Sequence, residues 1–212
     1  MNVIKHIKKS IRSQILLKYL LPYKVLLCGE KGAGKTTFSH KMAGKAASDT
    51  YQATPVGDFI ELKAKKNNFL EPIWKCGTQV IDTAGQGYDV IDRKKLFQKA
   101  KSADCILYFI NLESLKDDDK HKRCLRAMRA MIKGFENVMS KEDIKEKLII
   151  VGTHADKIPN FELATQQWKE EETLKDLLTY AHKNRIEFGA FEASNGNKFF
   201  DTLKKQIKEI CK

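Results

Sequence analysis

The stretch Gly29-Glu30-Lys31-Gly32-Ala33-Gly34-Lys35-Thr36-Thr37 has a spacing that dictates a chemistry: glycine, four residues, Gly-Lys, then threonine. Glycines let backbone N–H groups turn inward around a phosphate. The lysine neutralises phosphate charge, and the threonine hydroxyl offers Mg²⁺ a hard oxygen. The pattern needs a strand before it and a helix after it. Tyr23 to Cys28 reads as a short buried strand and Thr36 to Ala47 as a helix, whose N-terminus adds positive potential. The expected phosphate contacts are therefore Glu30, Lys31, Gly32, Ala33, Gly34, Lys35, Thr36 and Thr37, with Thr36 also ligating the metal.

Two further motifs follow in order, each at the end of an apolar run. Ile81-Asp82-Thr83-Ala84-Gly85-Gln86 ends a strand on a carboxylate that can hold Mg²⁺ through water, and the N–H of Gly85 can meet a γ-phosphate. Val151-Gly152-Thr153-His154-Ala155-Asp156-Lys157 ends another. A carboxylate there accepts two N–H bonds from guanine, a pair that adenine lacks, so Asp156 is the residue expected to select guanine. His154 also reads as a strand-end histidine with a structural hydrogen bond, and Asp156 as a helix N-cap.

The elements that must position these motifs alternate. Asp58 to Ala64 and about Ile73 to Ile81 read as an antiparallel hairpin, after Ser48 to Gly57 as a loop. Helices are expected over Asp92 to Ala100, from Asp117-Asp118-Asp119 to about Val138, over Glu162 to Lys183 and over Lys198 to Ile210. Strands are expected at Asp104 to Asn111, Leu148 to Gly152 and Ile186 to Ala193. Such alternation implies an α/β fold with helices on both faces of a mostly parallel six-stranded sheet, one edge strand being antiparallel. Motifs at the C-terminal ends of its strands lie where ligands bind open α/β sheets.

Residues 1–22 are set apart as an N-terminal basic amphipathic helix. Ile4, Ile7, Ile11 and Ile15 recur at helical spacing between lysines. The chain carries a formal charge of +12 over 212 residues. Lys5, Lys8, Lys9, Arg12, Lys18 and Lys24 supply half of it, with no acid among them. Such a helix fits an anionic membrane surface, the domain's own sheet or a partner, and its sequence does not separate the three. Later lysines are read as ordinary solvated faces. No apolar run is long enough to span a bilayer, and no secretory signal or RNA-recognition motif is evident. Five scattered cysteines, never spaced Cys-x-x-Cys, point to a reducing, cytosolic compartment.

Taken together, residues 23–211 resemble a Ras-like or Arf-like small GTPase of the P-loop superfamily. Asp82-Thr83-Ala84-Gly85-Gln86 matches the family's Asp-x-x-Gly-Gln, and the resemblance implies that Gln86 positions the attacking water. It also implies that Thr54, 19 residues after Lys35, ligates Mg²⁺ and senses the γ-phosphate, with Thr50 as a rival. Ala193, Ser194 and Asn195 resemble the loop whose backbone N–H contacts guanine. The chain departs from the family at Thr153-His154-Ala155-Asp156, where Asn-Lys-x-Asp is usual; this variant is similar to Roc-type GTPase domains. Lys31 departs too, either crowding Gln86 or reaching the phosphates.

These readings imply a GTPase domain over 23–212, binding GTP or GDP with Mg²⁺. It would act as a molecular switch that hydrolyses GTP slowly, with Lys35 and Gln86 catalytic and Thr36, Thr54 and Asp82 (through water) on the metal. Protein effectors and regulators would meet its switch loops. No specific nucleic acid is expected, and the expected location is cytoplasmic, with peripheral membrane attachment through residues 2–20 as an option. The alternatives are a nucleotide-holding interaction module with negligible turnover and an ATP-dependent P-loop enzyme.

Overall fold

The longest apolar runs form strands covered on both sides. In a computed structural model describing residues 23–42, 59–63, 78–83, 90–161, 166, 175, 178–182, 185–191 and 196–211, β1 is Tyr23–Gly29, β2 Phe59–Lys63 and β3 Thr78–Thr83. β4 is Cys105–Asn111, β5 Leu148–Thr153 and β6 Ile186–Phe188. Among the described residues these six join in one sheet in the order β2-β3-β1-β4-β5-β6. β1 pairs in parallel with β3 and β4, and β4-β5-β6 continue in parallel. β2 runs antiparallel to β3, with Ile60 opposite Asp82.

Side chains alternate across a strand, so β1 feeds two cores. Leu26 and Cys28 join one face with Tyr108, Ile150, Leu96, Met128 and Phe135. Val25 and Leu27 join the other with Phe109, Val151, Phe38, Phe199 and Leu203. Helices cover both faces: α1 (Lys35–Met42), α2 (Val90–Ser102), α3 (Asp118–Glu136), α4 (Lys141–Lys147) and α5 (Gly196–Ile210). α3 starts where its acids predict. The Asp117 side chain accepts the N–H groups of Asp119 and Lys120, and those bonds hold its carboxyl below the usual range.

Two elements differ from the sequence expectation. α4 lies in a stretch to which the sequence reading assigned no element, although its signature was present: Ser140 Oγ accepts the Asp143 N–H at 3.1 Å and Asp143 accepts the Ser140 N–H at 3.2 Å. β6 ends at Phe188 rather than Ala193: the Gly189 N–H still follows β5, but the Gly189 carbonyl is taken by the turn after β5. Gly189 N–H bonds Gly152 O at 2.9 Å and Ala155 N–H bonds Gly189 O at 3.2 Å. β3 is described from Thr78, and residues 73–77 of the strand expected there lie outside the described residues. The N-terminal helix and most of the helix expected over 162–183 lie outside the described residues.

α2 packs on α3 through Phe97, whose ring meets Phe135 edge-on at 5.9 Å. Gly134 makes room for it: a Cβ there would lie 1.9 Å from the Phe97 ring. Gly134→Val is expected to force the two helices apart and lower stability by about 1–3 kcal/mol; urea unfolding of the two proteins measures it.

Candidate functional site

The phosphate loop is built by β1 ending against β4. A Cβ on Gly29 would lie 2.1 Å from Phe109 O, and the residue sits at φ 121°, so only glycine lets the strand pass. The Glu30 N–H then donates to Phe109 O at 3.0 Å, fixing the loop's first step to the sheet. Gly32 and Gly34 both take positive φ, 74° and 77°. The chain then enters α1 at Lys35, and Phe38 N–H already bonds Gly34 O at 2.9 Å.

Lys35 is 6% exposed. Its ammonium folds under the loop and donates to the carbonyls of Gly29, at 3.2 Å, and Glu30. Neutral carbonyls orient this buried ammonium without themselves cancelling its charge, as a site for an anion above it requires. Lys31 is exposed, and Thr36 and Thr37 are half-buried at the start of α1. The neighbouring Cys28 thiol is pushed up to about 12 by burial, against the lowering effect of Lys35, so it stays protonated under the loop.

Glu30 departs from a simple phosphate contact. Its carboxylate is turned to the end of β4, where Oε2 accepts the Asn111 N–H at 2.9 Å and lies 3.5 Å from Ser114 Oγ. It also takes a hydrogen bond from the Cys124 thiol on α3; burial and this carboxylate push that thiol up. An acid inside an anion-binding loop is thereby directed away from the anion, leaving the backbone of Glu30 to the loop. The turn after β4 continues the connection. Asn111 Oδ1 accepts the Glu113 N–H at 3.0 Å, Lys157 Nζ lies 3.8 Å from Glu113, and Lys116 Nζ donates to Lys157 O.

Lys157 belongs to the third motif, and Thr153 joins that motif to the phosphate loop. Thr153 is 1% exposed; its Oγ1 lies 3.1 Å from Ala33 O and 3.2 Å from Ile110 O. Its single proton is shared between those two carbonyls. His154 Nδ1 lies 2.9 Å from the same oxygen. His154 takes the left-handed conformation, φ 61° and ψ 33°, and opens a short 3₁₀ turn over Ala155–Lys157. That turn brings Asp156 to the surface of a pocket lined by Gly34, Thr37, Thr153, His154, Asp156, Ala190 and Phe191.

So the structure brings together the residues of the first and third motifs. Asp82 is placed in β3, opposite Leu27 of β1. Thr50, Thr54, Gly85, Gln86, Ala193, Ser194 and Asn195 lie outside the described residues. Ala190 and Phe191 are additions that sequence reasoning missed. Phe191 is 8% exposed, packs 6.0 Å from Phe38 and 5.1 Å from Phe199, and lies 3.3 Å from where a Cβ on Gly34 would sit. The available signal was only an aromatic residue directly before the expected Ser194 loop.

Comparison with known proteins agrees with this layout. The sequence profile of the family described as "Ras of Complex, Roc, domain of DAPkinase" matches residues 24–156. The chain is also similar to Cell division control protein 10 of Saccharomyces cerevisiae, 31% identical over 97 residues. That match covers 42% of this chain and 30% of the yeast protein, so the chain spans well under half of that relative's length.

Thr153→Val keeps the shape and removes the hydroxyl, leaving buried carbonyls of Ala33 and Ile110 short of a donor. The expected cost is about 1–3 kcal/mol of stability, together with weaker binding of a fluorescent guanine nucleotide. Urea midpoints and nucleotide titration check both, and Thr153→Ser should restore them.

Proposed function

The chain belongs to the Roc family, Ras-like GTP-binding domains of the P-loop class, and from that premise we propose that it is a guanine-nucleotide switch that hydrolyses GTP slowly. Residues 23–212 form the GTPase domain in this reading. The observation that carries it is the Thr153 hydroxyl joint to Ala33, which ties the loop bearing Lys35 to the turn bearing Asp156. A single ligand with phosphates at one end and guanine at the other spans those two loops.

In this proposal Lys35 swings from its carbonyl partners onto the β- and γ-phosphates, while the N–H groups from Glu30 to Thr37 surround the oxygens. The oxygen donors fit Mg²⁺: Thr36 opens α1 beside Lys35, and Asp82 lies on the strand next to β1, opposite Leu27. Thr36, Thr54 and Asp82 (through water) would hold it, and bound Mg²⁺ supplies charge neutralisation at the phosphates. Gly85 would meet the γ-phosphate and Gln86 would orient the water. Ala193, Ser194 and Asn195 would close over the base. Catalysis of this kind is positioning plus electrostatics. Turnover without an activator would be well below one per second, and an outside activator would raise it by roughly 10³ to 10⁵.

Asp156→Asn replaces one acceptor with a donor and should move preference from guanine toward xanthine, whose position 2 carries a carbonyl. Affinities of parent and variant for GTP and XTP measure this, and an unchanged ratio removes Asp156 from the base pocket.

The domain is proposed to work in the cytoplasm and to reach anionic membranes through residues 2–20. Each lysine or arginine near such a surface contributes about 1 kcal/mol, screened beyond a Debye length. The full chain should cosediment with anionic and not neutral vesicles, less at high salt. Equal sedimentation after deleting residues 1–20 would assign the binding elsewhere.

A further inference from the structure

We propose that the outer face of α3 is a docking site for an acidic α-helix of a protein partner, recognised by a single row of cations: Lys122, Arg126, Arg129 and Lys133. The inference is independent of which nucleotide the domain binds. Sequence alone reads these residues as an ordinary solvated face; the structure argues against that reading.

Between Lys120 and Lys133 every exposed side chain of α3 is a lysine, an arginine or an alanine. The four named cations are spaced i, i+4, i+7 and i+11. They therefore fall within an arc of about 60° and form a file about 16 Å long. Among the described residues none of the four pairs with a carboxylate; the ion pair formed within this helix region is Lys120 with its own cap, Asp117. Like charges at these spacings oppose the helix they sit on. An ordinary solvated helix relieves that by alternating signs, and α3 has no acid between Asp119 and Glu136. The row is also rigid, because Cys124, Leu125, Met128, Ile132 and Phe135 anchor the opposite side in the core.

The chemistry of the face selects among polyanions. The exposed apolar residues are only Ala127 and Ala130, so there is no ring on which a base can stack and no large side chain to enter a bilayer. Beside the row the two alanines leave room for a second helix to approach closely. Carboxylates at i, i+4, i+7 and i+11 on such a helix repeat the spacing of the cations. The central arginines present planar forks that grip a carboxylate at two points.

The test uses the full chain and two synthetic helix-stabilised peptides of identical composition, read by fluorescence anisotropy. One carries four glutamates at i, i+4, i+7 and i+11; the other spreads them around the helix. The aligned peptide is expected to bind at least about fivefold more tightly, since four exposed pairs each contribute a small factor, and the advantage should shrink in high salt. Arg126→Glu with Arg129→Glu should abolish that advantage while leaving the urea midpoint and nucleotide affinity intact; Arg126→Gln with Arg129→Gln serves if the reversal does not fold. Reversing Lys8 and Lys9, or Lys198 and Lys205, should leave it unchanged. Equal binding of the two peptides overturns the proposal, as does an advantage that disappears only on reversing Lys8 and Lys9. The proposal also fails if the α3 variants lose binding to anionic vesicles or duplex RNA while still distinguishing the peptides.

Discussion

One hydroxyl proton joins the two halves of this site. Thr153 Oγ1 sits among the carbonyl of Ala33 in the phosphate loop, the carbonyl of Ile110 at the end of β4 and the ring of His154. Three separate stretches of chain therefore converge on one atom that is almost fully buried. Inside a protein such a bond is strong and its loss is costly, because neither carbonyl has water to turn to. The position of the turn bearing Asp156 relative to the phosphate loop follows from it.

The same logic explains how the loop tolerates an acid. Glu30 would oppose an anion if it faced inward. Instead its carboxylate accepts the Asn111 N–H and the Cys124 thiol, two donors from β4 and α3. The phosphate loop is thus tied on one side to the turn bearing Asp156 and on the other to the helix that carries the cation row. Gly29 sets the starting point, because no other residue could pass the backbone of Phe109 at that distance.

What could be read from the sequence was local. The glycine spacing of the loop, the buried runs of β1, β4 and β5 and the acidic start of α3 each depend on neighbours a few residues apart, and each stands where expected. α4 was equally local, marked by its Ser140–Asp143 box, yet no element was assigned between the helix ending near Val138 and the strand from Leu148. What could not be read depends on contacts across the sheet. Nothing near Glu30 in sequence says that its side chain turns 81 residues away, and Phe191 becomes a pocket wall only because Gly34 lacks a side chain. The end of β6 at Phe188 was hidden for the same reason: the Gly189 carbonyl accepts the Ala155 N–H, a partner set by topology.

The substitution of Thr-His for Asn-Lys is then a physical trade. An amide side chain offers two donor hydrogens and an acceptor, whereas Thr153 has one hydrogen and must divide it between Ala33 and Ile110. His154 Nδ1, 2.9 Å from the Thr153 hydroxyl, completes the set. That requires the ring to fold back toward its neighbour, and the left-handed backbone at His154 is the conformation the chain adopts while it does so. Such a conformation is unfavourable for a residue with a Cβ. It is held in place by the 3₁₀ turn that follows, where Lys157 N–H bonds His154 O at 3.1 Å. Thr153, His154 and the turn carrying Asp156 therefore form one unit, in which changing the first residue displaces the last.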